Sequence, residues 1–270
     1  AGADVMNFVG RLTYIGGHLG PDVQASEVLE KTQDCIHYAK SQGAFVSMGI
    51  IVDSMDALFK SMKASAEAGV DRVCIYDSRS WWTPDVWKWA VKFTRHIVGP
   101  KIQITAHVHD AYGMGVANTC EAVKAGADMA DVTLNGYGHA GGNAALEQVV
   151  VNLEMLYGVD TGIDLTKLYG LCKLAADDFG MPISPRQPVV GDDIFVSTGI
   201  AAAAAFSENW WESEVLRPET VGRKRVIIWT PTVLERGGMG GTVAQKVQHM
   251  GLTCTEAQLK TVFDRLREVC

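Results

Sequence analysis

No stretch of this chain stays apolar for the roughly 18–20 residues that a helical membrane span requires, although 47% of its residues are hydrophobic. The opening segment, AGADVMNFVG, has no lysine or arginine and so lacks the basic region of a secretory signal. Positive charge is also short: 24 Lys and Arg against 31 Asp and Glu leave a net charge of −7 and a pI near 5.5. That balance excludes a nucleic-acid groove, which needs clustered cations against phosphate. The six cysteines, at 35, 74, 120, 172, 254 and 270, form no CxxC pair. Several fall inside apolar helix or strand patterns, so they are expected to be reduced, buried thiols of a cytoplasmic protein. Low-complexity sequence is limited to Ala201–Ala205.

The first 160 residues alternate between strand and helix patterns. Apolar, β-rich runs stand at 4–9, 44–48, 70–76, 102–108 and 129–134. Between them, helical spacing groups Val28, Leu29, Thr32, Cys35, Ile36 and Ala39 on one face. Thr83-Pro84-Asp85 reads as an N-cap, a proline at the first helical position and an acid at the positive end of the helix dipole. Gly126 and Gly158 are expected to end helices that start near 115 and 143. Five strands each followed by a helix imply parallel pairing with crossovers, hence an α/β barrel or a doubly wound sheet. Eight such units fill about 250 residues in a barrel, so five units leave three missing. Beyond 160 the rhythm changes to a helix near 164–179 and a Pro-rich stretch. A last amphipathic helix is opened by a Thr255/Gln258 capping box. The expected division is residues 1–180 as barrel and 181–270 as linker and small helical subdomain.

The segment ITAHVHDAYGMG carries the sharpest chemical signal. Alternate residues of a strand face one way, so His107 and His109 share a side and stand about 6.6 Å apart along the strand. Both imidazoles can lean onto one metal ion at the carboxyl end of the strand, where barrel active sites lie. The second signal is LNGYGHAGGNAALE, whose glycines at 136, 138, 141 and 142 let the backbone approach a ligand closely. Asn143 is expected to open the following helix, so that its side chain and the helix N-terminus face the metal or an anion.

Together these segments resemble the DRE-TIM metallolyase superfamily, which is HMGL-like and includes isopropylmalate- and homocitrate-type synthases and 4-hydroxy-2-oxovalerate aldolases. The likeness is strong over 101–152 and returns in RPETVG and in GTVAQKVQHMGLTCTEAQLKTVF. It implies a (β/α)₈ TIM barrel that here lacks its first three βα units, plus a small C-terminal helical subdomain. It implies His107 and His109 as metal ligands, Asn143 at or beside the metal, and Ser78 as a hydroxyl that holds the substrate carboxylate. His139 replaces an acidic or small residue of the glycine loop and is either an acid/base or a solvent-facing histidine. Arg79, Trp81 and Trp82 sit on the same rim, as pocket lining or as ordinary surface packing.

The resemblance implies a divalent metal ion (Mn²⁺, Mg²⁺ or Zn²⁺) and a 2-oxo acid substrate with an aldehyde or an acyl-CoA as co-substrate. The arginine and the acidic third ligand of the family's first strand have no counterpart here, so the barrel is expected to be completed by a preceding segment, by a second chain or in a homo-oligomer. Where the acyl-CoA-condensing members carry a glutamate and a histidine, this chain reads SMGII and VSTGIAA. The expectation is therefore a pyruvate-type aldolase or lyase first, an acyl-CoA-dependent Claisen synthase second, and a non-catalytic barrel fragment or subunit as the reading from another class.

Overall fold

The five apolar runs form five parallel strands: β1 (Val5–Gly10), β2 (Phe45–Ile51), β3 (Arg72–Asp77), β4 (Gln103–Val108) and β5 (Met129–Asp131). They are seen in a computed structural model of the chain, which describes residues 4–10, 25–52, 54–198, 216–224, 226–228 and 238–269. The strands lie in sequence order, β1-β2-β3-β4-β5. A doubly wound sheet reverses its strand order at a switch point; this sheet does not, and its order is that of a barrel wall. The crossovers carry α1 (Ala25–Ser41), α2 (Met55–Glu67), α3 (Pro84–Val98) and α4 (Gly115–Lys124), and α5 (Leu146–Tyr157) follows β5. No helix among the described residues is long and apolar enough to cross a membrane.

The two faces of the sheet differ in chemistry. Val46, Met48 and Ile50 of β2, Val73 and Ile75 of β3, and Ile104, Ala106 and Val108 of β4 are each at most 1% exposed. They pack in one cluster with Ile36 of α1, Leu58 and Met62 of α2, and Trp87, Ala90 and Val91 of α3. Burying each large side chain contributes roughly 1.5–3 kcal/mol, which fixes which face meets the helices. The alternating residues Ser47, Gly49, Cys74, Tyr76, Thr105 and His107 therefore point to the opposite face, the lumen side of a barrel. In α3 the buried positions Trp87, Ala90, Val91, Thr94 and Val98 follow the helical repeat. Thr83 takes the N-cap position, but its side chain makes no capping hydrogen bond. Cys74, Cys120 and Cys172 are buried as expected, whereas Cys35 is exposed, although it shares the face of α1 that carries the buried Ile36 and Ala39. Burial pushes the Cys120 thiol up to about 11.

The chain divides into two compact units between Thr161 and Gly162, where the strand–helix rhythm changes and earlier than the division expected at 180. Helix α6 (Leu168–Phe179) thus belongs to the second unit. Gly222 explains this: a Cβ there would lie 1.9 Å from the Thr166 carbonyl oxygen, so the Pro218–Val221 turn rests directly on the turn before α6. Arg223 lies over the Tyr169 ring at 4.2 Å and pairs with Asp192 at 2.8 Å. The unit is not purely helical, since Val196–Thr198 and Val226–Ile228 pair as parallel strands, β6 and β7. Its last helix, Glu256–Val269, has the expected capping box, with Gln258 N donating to Thr255 Oγ1 at 3.3 Å and Thr255 N donating to Gln258 Oε1 at 2.8 Å. Ala201–Ala205, the VSTGIAA segment from Gly199 onward and the side chains of Val28 and Leu29 lie outside the described residues.

One device occurs twice in the first unit. After Gly69, Asp71 accepts from Val46 N at 2.8 Å and from Lys40 Nζ at 2.6 Å. After Gly126, Asp128 accepts from Ile104 N at 2.8 Å and from Arg95 Nη2 at 2.5 Å. Each carboxylate closes the amino end of the neighbouring strand and ties a cation of a helix to it. Burial alone would raise the Asp71 pKa, but the Lys40 ammonium and the Val46 N–H outweigh it and hold the group below the ordinary 3.8. Asp71→Ala should cost about 1.5–3 kcal/mol at neutral pH. A carboxyl whose folded pKa is depressed stabilises fully above its unfolded value and loses that contribution as pH falls through the folded value. The gap between wild type and variant in urea unfolding should therefore be constant above pH 5 and close on acidification below pH 3.8.

Candidate active site at the carboxyl ends of the strands

The site is built where β4 ends against the glycine loop. His109 forms an antiparallel bridge with Asn143, Asp110 N donates to Gly142 O at 2.9 Å and Ala144 N donates to Val108 O at 3.2 Å. Backbone meets backbone here only because side chains are missing. A Cβ on Gly142 would lie 2.0 Å from Gly136 O, one on Gly138 would lie 2.2 Å from Asn143 Oδ1, and both residues have positive φ. The fully buried Glu147 supports the loop from α5 by accepting from Asn135 N at 3.1 Å. Asp110 accepts from Gly115 N at 2.5 Å and closes the turn into α4.

The bridge corrects the expectation for Asn143. It does not open the helix: Ala145 is the N-cap and α5 starts at Leu146, because pairing with His109 keeps residues 143–145 extended. Its side chain nevertheless faces the histidines, with Nδ2 3.2 Å from His107 Nε2 and 3.3 Å from Val108 O.

His107 Nδ1 lies 3.1 Å from Asp131 Oδ2, and His109 Nδ1 lies 2.8 Å from His139 O. A carboxylate and a carbonyl only accept, so each Nδ1 carries a proton and the neutral ring offers Nε2 as its acceptor, that of His107 toward the Asn143 amide. The two Nε2 atoms face each other at 3.3 Å. Two lone pairs at that distance repel unless a proton or a metal cation stands between them. Two nitrogens about 2.1 Å from one ion and about 100° apart would be separated by about 3.2 Å, so the pair fits as two ligands of one metal. Among the described residues no group of three His, Cys, Asp or Glu converges to complete such a site.

The other candidates are distributed around this pair. His139 contributes its carbonyl, while its exposed ring stands 6.1 Å from that of His109. Ser78 is half-buried on the turn after β3 and has no hydrogen bond to either histidine; the serine that reaches the β4 loop is Ser80, whose Oγ accepts from Ala111 N at 3.0 Å. Asp77 accepts from Trp81 N and Trp82 N, each at 3.0 Å, and shapes the rim. Arg79 lies over the exposed Trp81 ring at 4.5 Å, while Trp82 packs edge-on against Trp87. Sequence reasoning missed Asp131 and Tyr76, which flank His107 in a row across three strands, Tyr76↔His107↔Asp131. Tyr76 stacks on His107 with ring centroids 4.2 Å apart. Burial raises the Tyr76 phenol above its usual range and pushes Cys74, which donates to Asp131 at 3.6 Å, well above its own.

Residues 15–174 match the family described as HMGL-like. The chain belongs to that family. Its relatives include the (R)-citramalate synthase of Methanocaldococcus jannaschii, 32% identical over 90% of this chain and 48% of that protein. Another is the probable 2-isopropylmalate synthase of Ignicoccus hospitalis, 35% identical over 75% of this chain and 51% of that protein. This HMGL-like chain thus spans about half the length of the curated relatives it matches. Among solved structures, the HMG-CoA lyase of Bacillus subtilis superposes with a TM-score of 0.57 over 67% of this chain and 65% of its own, at 20% identity. That likeness supports the barrel wall read from strand order.

Gly142→Ala should dislodge the HMGL-like loop, since the colliding atom is backbone and cannot rotate away. The amides of Asp110 and Ala144 should then lose protection in hydrogen exchange, while those of Ile75 and Ile104 keep it. Unchanged protection at Asp110 and Ala144 would contradict the packing described.

Proposed function

We propose that this chain carries part of the active site of a divalent-metal-dependent enzyme that joins the α-carbon of an acyl-CoA to the carbonyl carbon of a 2-oxo acid. The facing pair of imidazole Nε2 atoms carries the reading, and the synthase relatives over 90% of the chain give its direction. The sequence put aldol cleavage first; those relatives favour the condensation. The remaining strands, with a third ligand and an arginine, are taken to lie beyond β1–β5, on the same polypeptide or a second chain.

A divalent ion on His107 and His109 would polarise the oxo-acid carbonyl and stabilise charge developing on its oxygen. Asp131 and the His139 carbonyl hold the two rings so that both Nε2 atoms face inward. Asn143, with its amide beside His107, is assigned to orient the substrate carboxylate, and the Ser78 hydroxyl is assigned a second hydrogen bond to it. The His139 imidazole is the assigned base, taking a proton from the acyl α-carbon. The carbanion attacks the carbonyl carbon, the new alkoxide takes a proton, and water cleaves the thioester to leave a carboxylate and free CoA.

One observation favours aldol cleavage as the second reading. Gly49 brings no carboxylate to the lumen side of β2, and the Tyr76 ring covers it.

His107→Ala and His109→Ala should each lose bound Mn²⁺ in elemental analysis; full occupancy in either variant would remove the ligand assignment. Asp131→Asn should retain the fold and weaken Mn²⁺ binding about 10–100-fold.

With acetyl-CoA and a panel of 2-oxo acids, the metal-loaded protein should release thiol in step with oxo-acid consumption. His139→Gln should slow that release about 10²–10⁴-fold while bound metal stays constant. Cleavage of 4-hydroxy-2-oxo acids without thiol release would install the aldolase reading, and neither activity would leave a non-catalytic barrel fragment.

A further inference from the structure

The Tyr76 side chain starts on β3 and reaches three other strands. Its ring stacks on His107 of β4 at 4.2 Å. It covers Gly49 of β2 so closely that a Cβ there would lie 2.6 Å from Tyr76 Cε2 and 3.1 Å from Val9 Cγ2 of β1. Its hydroxyl reaches the Asn7 side chain of β1. One aromatic side chain thus occupies the lumen face from β1 to β4, directly against the histidine pair. The absence of a side chain at Gly49 is what lets the ring lie down on the sheet rather than stand up into the space above His107.

We infer that Tyr76, seated on Gly49, is the floor of the substrate pocket and sets the size of the 2-oxo acid the site accepts, admitting a methyl-sized substituent and rejecting a branched one. The inference rests on the reading of the histidine pair as the place where a 2-oxo acid binds. A ring stacked flat on one ligand leaves no depth on that side for a larger substituent. Hydrophobic pockets discriminate by about 10–200-fold for a methylene gained or lost, so removal of a whole ring is readable. The same residues predict opposite effects from two substitutions. Tyr76→Ala deepens the pocket, whereas Gly49→Ala lifts the ring toward the histidines and makes the pocket shallower.

The test is calorimetric titration of the complete, Mn²⁺-loaded protein with pyruvate and with 2-oxoisovalerate, without a co-substrate. Mn²⁺ affinity is measured separately by electron paramagnetic resonance. Wild type should favour pyruvate. Tyr76→Ala should shift the affinity ratio toward 2-oxoisovalerate at least 10-fold, Gly49→Ala should weaken both acids, and Tyr76→Phe, which keeps the ring, should leave the ratio unchanged. Mn²⁺ affinity should stay within about threefold in all of them. An unchanged ratio in Tyr76→Ala, or equal loss of both acids with loss of Mn²⁺, overturns the inference and leaves Tyr76 a support for His107. Wild-type protein that holds Mn²⁺ but binds neither acid overturns the 2-oxo acid reading, and this inference with it. Because no turnover is measured, absence of acyl transfer does not affect the result.

Discussion

The close approach of the glycine loop to the end of β4 is the constraint on which the candidate site depends. It brings Asn143 opposite His109, delivers the His139 carbonyl to His109 Nδ1, and holds the Asn143 amide against His107. Backbone can press this tightly on backbone only where Cβ atoms are missing, as at Gly138 and Gly142. The loop is also anchored from behind by Glu147, a fully buried carboxylate whose partners include the Asn135 amide. Without that anchor, a segment rich in glycine would have little to offset its conformational entropy.

Hydrogen bonds then decide the chemistry. A histidine can offer either nitrogen to a metal, and here both offer Nε2 because both Nδ1 atoms face pure acceptors. If the pair holds a cation as proposed, this arrangement is already in place and little reorganisation would be needed on binding. Asp131 orients the His107 ring through Nδ1, and the Tyr76 ring lies stacked against it.

The sheet separates stability from function by its two faces. The residues that pack on the helices are aliphatic and almost wholly buried, and the alternating residues are small, polar or aromatic. Substitution on the lumen face can therefore change chemistry without emptying the core. This fits a family whose relatives of this chain carry synthase names while a solved structure of the same fold is a lyase.

Much of this was legible in the sequence because it is periodic or local. Alternation in ITAHVH placed both histidines on one face, strand spacing implied parallel pairing, and Thr255 and Gln258 announced the last helix. The misses share a physical cause. Asp131 lies 24 residues from His107, and Tyr76 lies over Gly49 from the neighbouring strand; such meetings depend on inter-strand register, which no local window contains. Asn143 looked like a helix start because its local pattern permits one, and only the bridge to His109 kept it extended. The change of rhythm beyond 160 marked the observed division at Thr161, but the helix near 164–179 was counted with the barrel because its contact with the second unit, through Gly222 and Thr166, is not local. The sequence by itself determined the elements, the metal-type histidine pair and the glycine loop, since period and backbone freedom reside in adjacent residues. Which nitrogen of each histidine faces inward, and what lies beneath the pair, was decided only by the tertiary structure, because those answers belong to side chains from different strands that meet only when the sheet has formed.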